Sequence, residues 1–190
     1  MELLTISGSL RKGSFTTSLL DHTEGLARDE GHRVCRFDRV AEVPPFNEDH
    51  EPQPPAVIAD LRAAIRSSDA VLIATPEYSG SIPGQLKNLL DWVARPADRS
   101  VLIDRPAAVI SASPSEYGAA WAREATEHIL TQMGAQVIRT GWGLPKAQLI
   151  ADLEAQAIDA GAETELRKII GLLARAHQAR TTDCRVSVRP

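Results

Sequence analysis

The feature that most limits what this chain can fold into is a rhythm: short apolar runs alternate with longer amphipathic stretches along its 190 residues. The runs ELLTIS (2–7), HRVCRFD (32–38), AVLIAT (70–75), AAVISA (107–112) and AQVIRT (135–140) have the length and composition of strands. The third and fourth are almost unbroken apolar, as central parallel strands covered on both faces must be. Helices fill the gaps. Residues 14–30 form the first, interrupted at Gly25, and 56–67 follow Pro54 and Pro55, an acceptable helix entry. Leu86, Leu89, Leu90 and Val93 share one helical face in 84–95, as do Ala122, Ala125, Ile129 and Met133 in 118–133. Leu166, Ile169, Ile170 and Leu173 mark a closing helix.

Five strands with intervening helices and right-handed crossovers leave few topologies. The most economical is an α/β three-layer sandwich of flavodoxin-like type. Its five-stranded parallel sheet has the order 2-1-3-4-5, with helices on both faces. Residues 1–180 make one such domain and 181–190 a loose tail, while the proline-rich 41–55 is a loop without an element. In such sheets a ligand sits beyond the carboxyl ends of the strands, beside strand 1. That rule points at segments 8–17, 76–83 and 111–118.

The net charge of -4 gives no footing for nucleic acid or an anionic membrane. No apolar run approaches the roughly 20 residues that span a bilayer, and Met1–Glu2 opens no secretory leader. A cytoplasmic location is the expectation. Cys35 and Cys184 form no CxxC, and the five histidines show no metal-ligand spacing, so no metal is expected. GSIPG (80–84) is not a nucleophile elbow, because its serine comes one place early.

The first loop, GSLRKGSFTTSLL, leaves a strand and enters a helix whose unpaired N–H groups and partial positive charge favour a phosphate. Ser9, Ser14, Thr16 and Thr17 offer hydroxyls, and Arg11 offers charge. Gly8 and Gly13 have Walker A spacing, but Ser14–Phe15 stand where that motif needs Lys–Ser/Thr, and no GxGxxG is present. A simple helix cap by Ser14 explains the segment equally well when it is taken alone. In the second loop, Thr75–Pro76 must end its strand, Gly80 permits a tight turn, and Tyr78 offers a ring for stacking.

Together, GSLRKGSFTTSLL and TPEYSGSIPGQLKNLLDW resemble the NAD(P)H-dependent FMN reductase family, as does VPPFNEDHE (43–51) after strand 2. The resemblance covers about residues 1–140. It implies that Ser9, Arg11, Ser14, Thr16 and Thr17 hold the FMN phosphate. Pro76, Glu77, Tyr78, Ser79, Gly80 and Ser81 would wrap the isoalloxazine ring, and Ser111, Ser113 and Gly118 would close the pyrimidine and ribityl side. Thr16 and Ser79 stand where the family usually has asparagine, and Tyr117–Gly118 replaces its double glycine. The family also associates through the helix that carries Lys87, Asp91 and Trp92, so a homodimer or homotetramer is implied. Trp142 is expected in the core, with a flavin edge across a dimer as the other reading.

The implied activity is oxidoreduction. Hydride passes from NADPH or NADH to flavin N5 and on to a small-molecule acceptor: free flavin, a quinone, an azo compound or an oxyanion. No protein side chain is required as acid or base. The other class is a non-enzymatic flavodoxin-type electron carrier or redox sensor.

Overall fold

In the computed structural model the described residues are 1–97, 100–145 and 158–186, the last four by backbone alone. Five strands, β1 (Glu2–Ser7), β2 (Arg33–Phe37), β3 (Ala70–Thr75), β4 (Pro106–Ser111) and β5 (Gln136–Ile138), form one sheet in the order β2-β1-β3-β4-β5. All four pairings are parallel. This is the flavodoxin-like topology that the alternating pattern requires. Every residue of β3 and β4 is buried, and the edge strands β2 and β5 are half exposed. Continuous apolar sequence thus goes to the centre and mixed sequence to the edges.

Two helix layers cover the sheet. On one face α2 (Ala56–Ser67), α3 (Gly84–Val93) and α4 (Ala120–Gln132) pack around Ile58, Leu61, Leu86, Leu89 and Leu130. On the other, α1 (Phe15–Asp29) and α5 (Ala160–Val186) pack around Leu19, Leu20, Leu166 and Ile169. The fully buried Trp92 sets its ring edge-on to Phe46, with centroids 5.0 Å apart, and its indole N–H donates to the Pro44 carbonyl. That single side chain ties the proline-rich loop to α3.

Three local expectations change. α1 runs unbroken through Gly25, since one glycine costs a helix only about 1 kcal/mol. The segment 41–55 contains two 3₁₀ turns, Val40–Glu42 at its start and Glu48–His50 within it, the second capped by the Asn47 side chain. Residues 181–186 are helical rather than a tail: Thr181 and Thr182 return their hydroxyls to the Gln178 carbonyl. Residues 187–190 lie outside the described residues. Among the described residues, no helix is long and apolar enough to cross a membrane.

Candidate functional site

At the carboxyl ends of β1, β3 and β4 lies a cavity of about 280 Å³. Its walls come from three separate segments: Arg11, Ser14, Phe15 and Thr16; Pro76, Glu77 and Tyr78; and Ala112, Ser113 and Pro114. β1 and β3 can end side by side because Gly8 donates to the Ala74 carbonyl at 2.7 Å. A Cβ on Gly8 would meet Leu86 at 2.9 Å and the Ala74 oxygen at 3.1 Å, so no larger residue fits this approach.

Ser14 decides between a cap and a ligand contact. It occupies the N-cap position of α1 in extended geometry (φ −73°, ψ 131°), yet its side chain makes no capping hydrogen bond. It is 3% exposed and lines the cavity with the equally buried Thr16. The amino end of α1 therefore presents a hydroxyl to the cavity instead of spending it on its own backbone. Arg11 holds its guanidinium 5.3 Å from the centre of the Phe15 ring, which keeps the cation at the rim. Phe15 escaped the sequence reading; its signal was its place directly after Ser14.

Other hydroxyls of this loop are turned inward. Thr17 pairs with Ser7 at 3.0 Å, and the Ser9 hydroxyl accepts the Arg11 N–H at 3.3 Å. Neither lines the cavity. They shape the loop that does.

The segment after β3 is a tight hairpin in which Tyr78 and Ser81 exchange backbone hydrogen bonds at 3.0 Å. Ser79 (φ 51°) and Gly80 (φ 71°) take the left-handed conformation at its tip, an arrangement for which glycine and short polar residues are suited. Ser79, Gly80 and Ser81 stand exposed above the cavity-lining Pro76, Glu77 and Tyr78. The Glu77 carboxylate accepts the Ala122 N–H at 3.1 Å and so takes the positive end of α4. It ties the second loop to the first turn of α4, which follows the third loop.

Ser113 and Ser115 brace the third loop through an hydroxyl pair at 3.1 Å. Ser111 and Gly118 lie behind the wall. The Ser111 hydroxyl donates to the Gly118 carbonyl at 2.6 Å, and Gly118 (φ 57°) packs so tightly that a Cβ would meet the Gly143 backbone at 2.9 Å. Ala112 and Pro114 line the cavity but were missed, because a small residue and a proline carry no chemical signature of their own.

A second and larger cavity, of about 640 Å³, lies between α3, α4 and residues 94–97 and 100–103, with Lys87, Asp91, Arg95 and His128 on its walls. Lys87 and Asp91 are paired at its edge. Trp142 is half buried against the α1/α5 core.

A family model for NADPH-dependent FMN reductases matches residues 1–149. The chain belongs to that family. It is 40% identical over 125 residues to an NAD(P)H-dependent FMN reductase of Pseudomonas aeruginosa, a stretch covering 65% of each chain. It is 32% identical over 140 residues to a quinone reductase of Escherichia coli, covering 73% of each. The chain thus spans just under two thirds of the Pseudomonas aeruginosa relative. Among solved structures, the flavoenzyme NAD(P)H:(acceptor) oxidoreductase FerB of Paracoccus denitrificans superimposes with a TM-score of 0.83 at 27% identity. That match covers 94% of this family member and 97% of FerB. A flavodoxin from Pseudomonas aeruginosa, at 18% identity and a TM-score of 0.61, shares the fold.

Proposed function

We propose that this chain is an FMN-dependent NAD(P)H oxidoreductase of the cytoplasm, serving a small-molecule electron acceptor. The observation that carries the reading is Ser14, a buried hydroxyl at the mouth of a helix dipole that leaves its capping bond unmade and lines the cavity. The residues present fit FMN. Arg11, Ser14 and Thr16 supply a cation and two hydroxyls for a phosphate, and Gly13 has nothing within 4 Å of where a Cβ would stand. Charge-assisted hydrogen bonds of this kind contribute about 1.5–3 kcal/mol each.

When bound, FMN supplies the hydride chemistry. The chain's own work is binding and orientation. Pro76, Glu77 and Tyr78 form one wall for a flat ring, with Ser79, Gly80 and Ser81 as the turn above it. Ser113 serves the opposite wall. Ser9 and Thr17 hold the phosphate loop in shape, and Ser111 and Gly118 hold the third loop. Glu77 ties the ring-side second loop to the start of α4 through Ala122.

Relatives named quinone reductase and 2-hydroxy-1,4-benzoquinone reductase support a quinone as the acceptor. The open face of α3 and α4, with its larger cavity, supports a homodimer or homotetramer, which sedimentation would test. The activity test is anaerobic mixing of the FMN-loaded chain with NADPH or NADH. Rapid bleaching of the yellow chromophore is expected. A chromophore that stays yellow would assign the chain to electron carriage or redox sensing instead.

A further inference from the structure

Among the described residues, five large apolar side chains stand exposed: Leu10, Tyr78, Ile103, Tyr117 and Trp121. One of them, Tyr78, lines the small cavity, and three more precede or follow its lining segments along the chain. Leu10 adjoins Arg11 and Tyr78 lines the wall, while Tyr117 follows the cavity residue Pro114 by three places. Trp121 precedes Ala122, whose N–H is held by Glu77 of the opposite wall. Tyr117 and Trp121 pair with ring centroids 5.7 Å apart and planes inclined at 33°, yet remain 68% and 56% exposed. Two paired rings left this exposed, on the loop and helix start that follow the cavity-lining Pro114, mark a contact surface.

The charges around the pair narrow its occupant. Glu116 precedes Tyr117 and Glu124 lies one helical turn beyond Trp121, both exposed. Glu77 adds a third carboxylate close by. Glu124 shares the Arg123 guanidinium with Glu127, so its charge is only part-balanced. Arg11, which lines the cavity, and its neighbour Lys12 lie on the first-loop segment. An anionic nicotinamide dinucleotide is repelled from the carboxylate-flanked pair and drawn to the basic side. A neutral planar ring stacks on the pair without that cost.

We propose that Tyr117 and Trp121 form a stacking platform that gathers neutral aromatic acceptors of the quinone class and sets the chain's preference for them. This rests on the oxidoreductase reading above. The left-handed pair Gly118 (φ 57°) and Ala119 (φ 61°) fixes the turn between the two rings, and the buried Ser111–Gly118 hydrogen bond holds that turn in place. The platform is therefore built into the third loop.

The test compares the FMN-loaded parent chain with Trp121→Ala, Tyr117→Ala and Trp121→Phe, using 2-methyl-1,4-naphthoquinone and ferricyanide as acceptors. For the alanine variants KM for the naphthoquinone should rise about five- to tenfold, the loss of one aromatic pair. KM for ferricyanide, which has no ring to stack, and for NADPH should stay unchanged, and Trp121→Phe should keep most of the quinone preference. Equal changes for both acceptors, or none, would overturn the platform. An independent readout needs no turnover: naphthoquinone should quench the tryptophan fluorescence of the parent chain at lower concentration than that of Trp121→Phe. Matching quench curves would also overturn it. A parent chain that oxidises no NADPH but shows the selective quench would sink the oxidoreductase reading and leave the platform standing. A Trp121→Ala chain that sediments as a smaller species would make the rings an interface between copies and overturn the acceptor site.

Discussion

The two cavities differ in a way that size does not predict. The larger, of about 640 Å³, is walled by helix faces and a loop, and its charges already answer one another, Lys87 to Asp91 and Arg95 to Glu48. The smaller, of about 280 Å³, lies where three strands end and receives the amino terminus of α1 with an uncommitted buried hydroxyl. Helix flanks turn side chains outward and keep backbone donors to themselves. Strand ends and helix starts expose them. Polar groups left available by the fold, rather than volume, mark the smaller cavity as the proposed ligand site.

The sharpest way to break this contrast is to strip each cavity of its charge. Arg11→Ala with Ser14→Ala should weaken FMN binding at least a hundredfold, about 3–6 kcal/mol for two charge-assisted contacts, as read by flavin fluorescence titration. Lys87→Ala with Asp91→Ala should leave the same titration unmoved. Equal losses in both would erase the distinction.

The glycines of the two regions sharpen it next. An alanine at Gly118 forces a Cβ against the backbone of Gly143 at 2.9 Å in a left-handed conformation, and backbone cannot yield locally. About 3 kcal/mol of stability should be lost, lowering Tm by roughly 6–12 °C. Gly134, at the rim of the larger cavity, is also left-handed (φ 82°), but its Cβ would come tightest, at 3.1 Å, on the Ile103 side chain, with the Ile103 Cα at an ordinary 3.5 Å. There Gly134→Ala should cost about 1–2 kcal/mol, visible as a smaller Tm shift.

α4 separates the two regions and carries a buried acid. Burial raises the Glu127 carboxyl above its ordinary 4.5, and Arg123, then Arg139, pull it part-way back. The native state therefore binds this proton more tightly than the unfolded chain. Its contribution to stability is complete below about pH 4.5 and is lost as pH rises through the native-state value. Urea titrations across pH 4 to 8 should show that fall in the parent chain, and Glu127→Gln should flatten it. The smallest effect is expected from Asp91→Asn at the exposed Lys87 pair, a few tenths of a kcal/mol in the same titration.

Much of the scaffold was legible in the linear sequence. The bounds of β1, α2 and β3 fall at the residues where apolar pattern and proline punctuation place them. The loops that meet at the small cavity were visible as Gly/Ser/Thr-rich exits from apolar runs. Which hydroxyls serve the cavity was not. Ser9, Ser14, Thr16, Thr17 and Ser111 carry the same chemical group, yet Thr17 is drawn to Ser7 and Ser111 to the Gly118 carbonyl. The helical course of 181–186 was equally hidden, because a polar stretch with no apolar periodicity gives no cue, while local hydrogen bonds suffice to extend a helix already begun.

By itself, then, the order of residues determined the sheet, its central strands and the ends at which loops could gather, since periodicity and backbone donors are local properties that every fold must satisfy. Only the tertiary structure decided which of several identical groups line one cavity, which are used up in holding its walls, and that the rings of Tyr117 and Trp121 pair while exposed. Those outcomes depend on distances between segments about 35 to 100 positions apart in the chain. Packing sets such distances, and no local pattern encodes them.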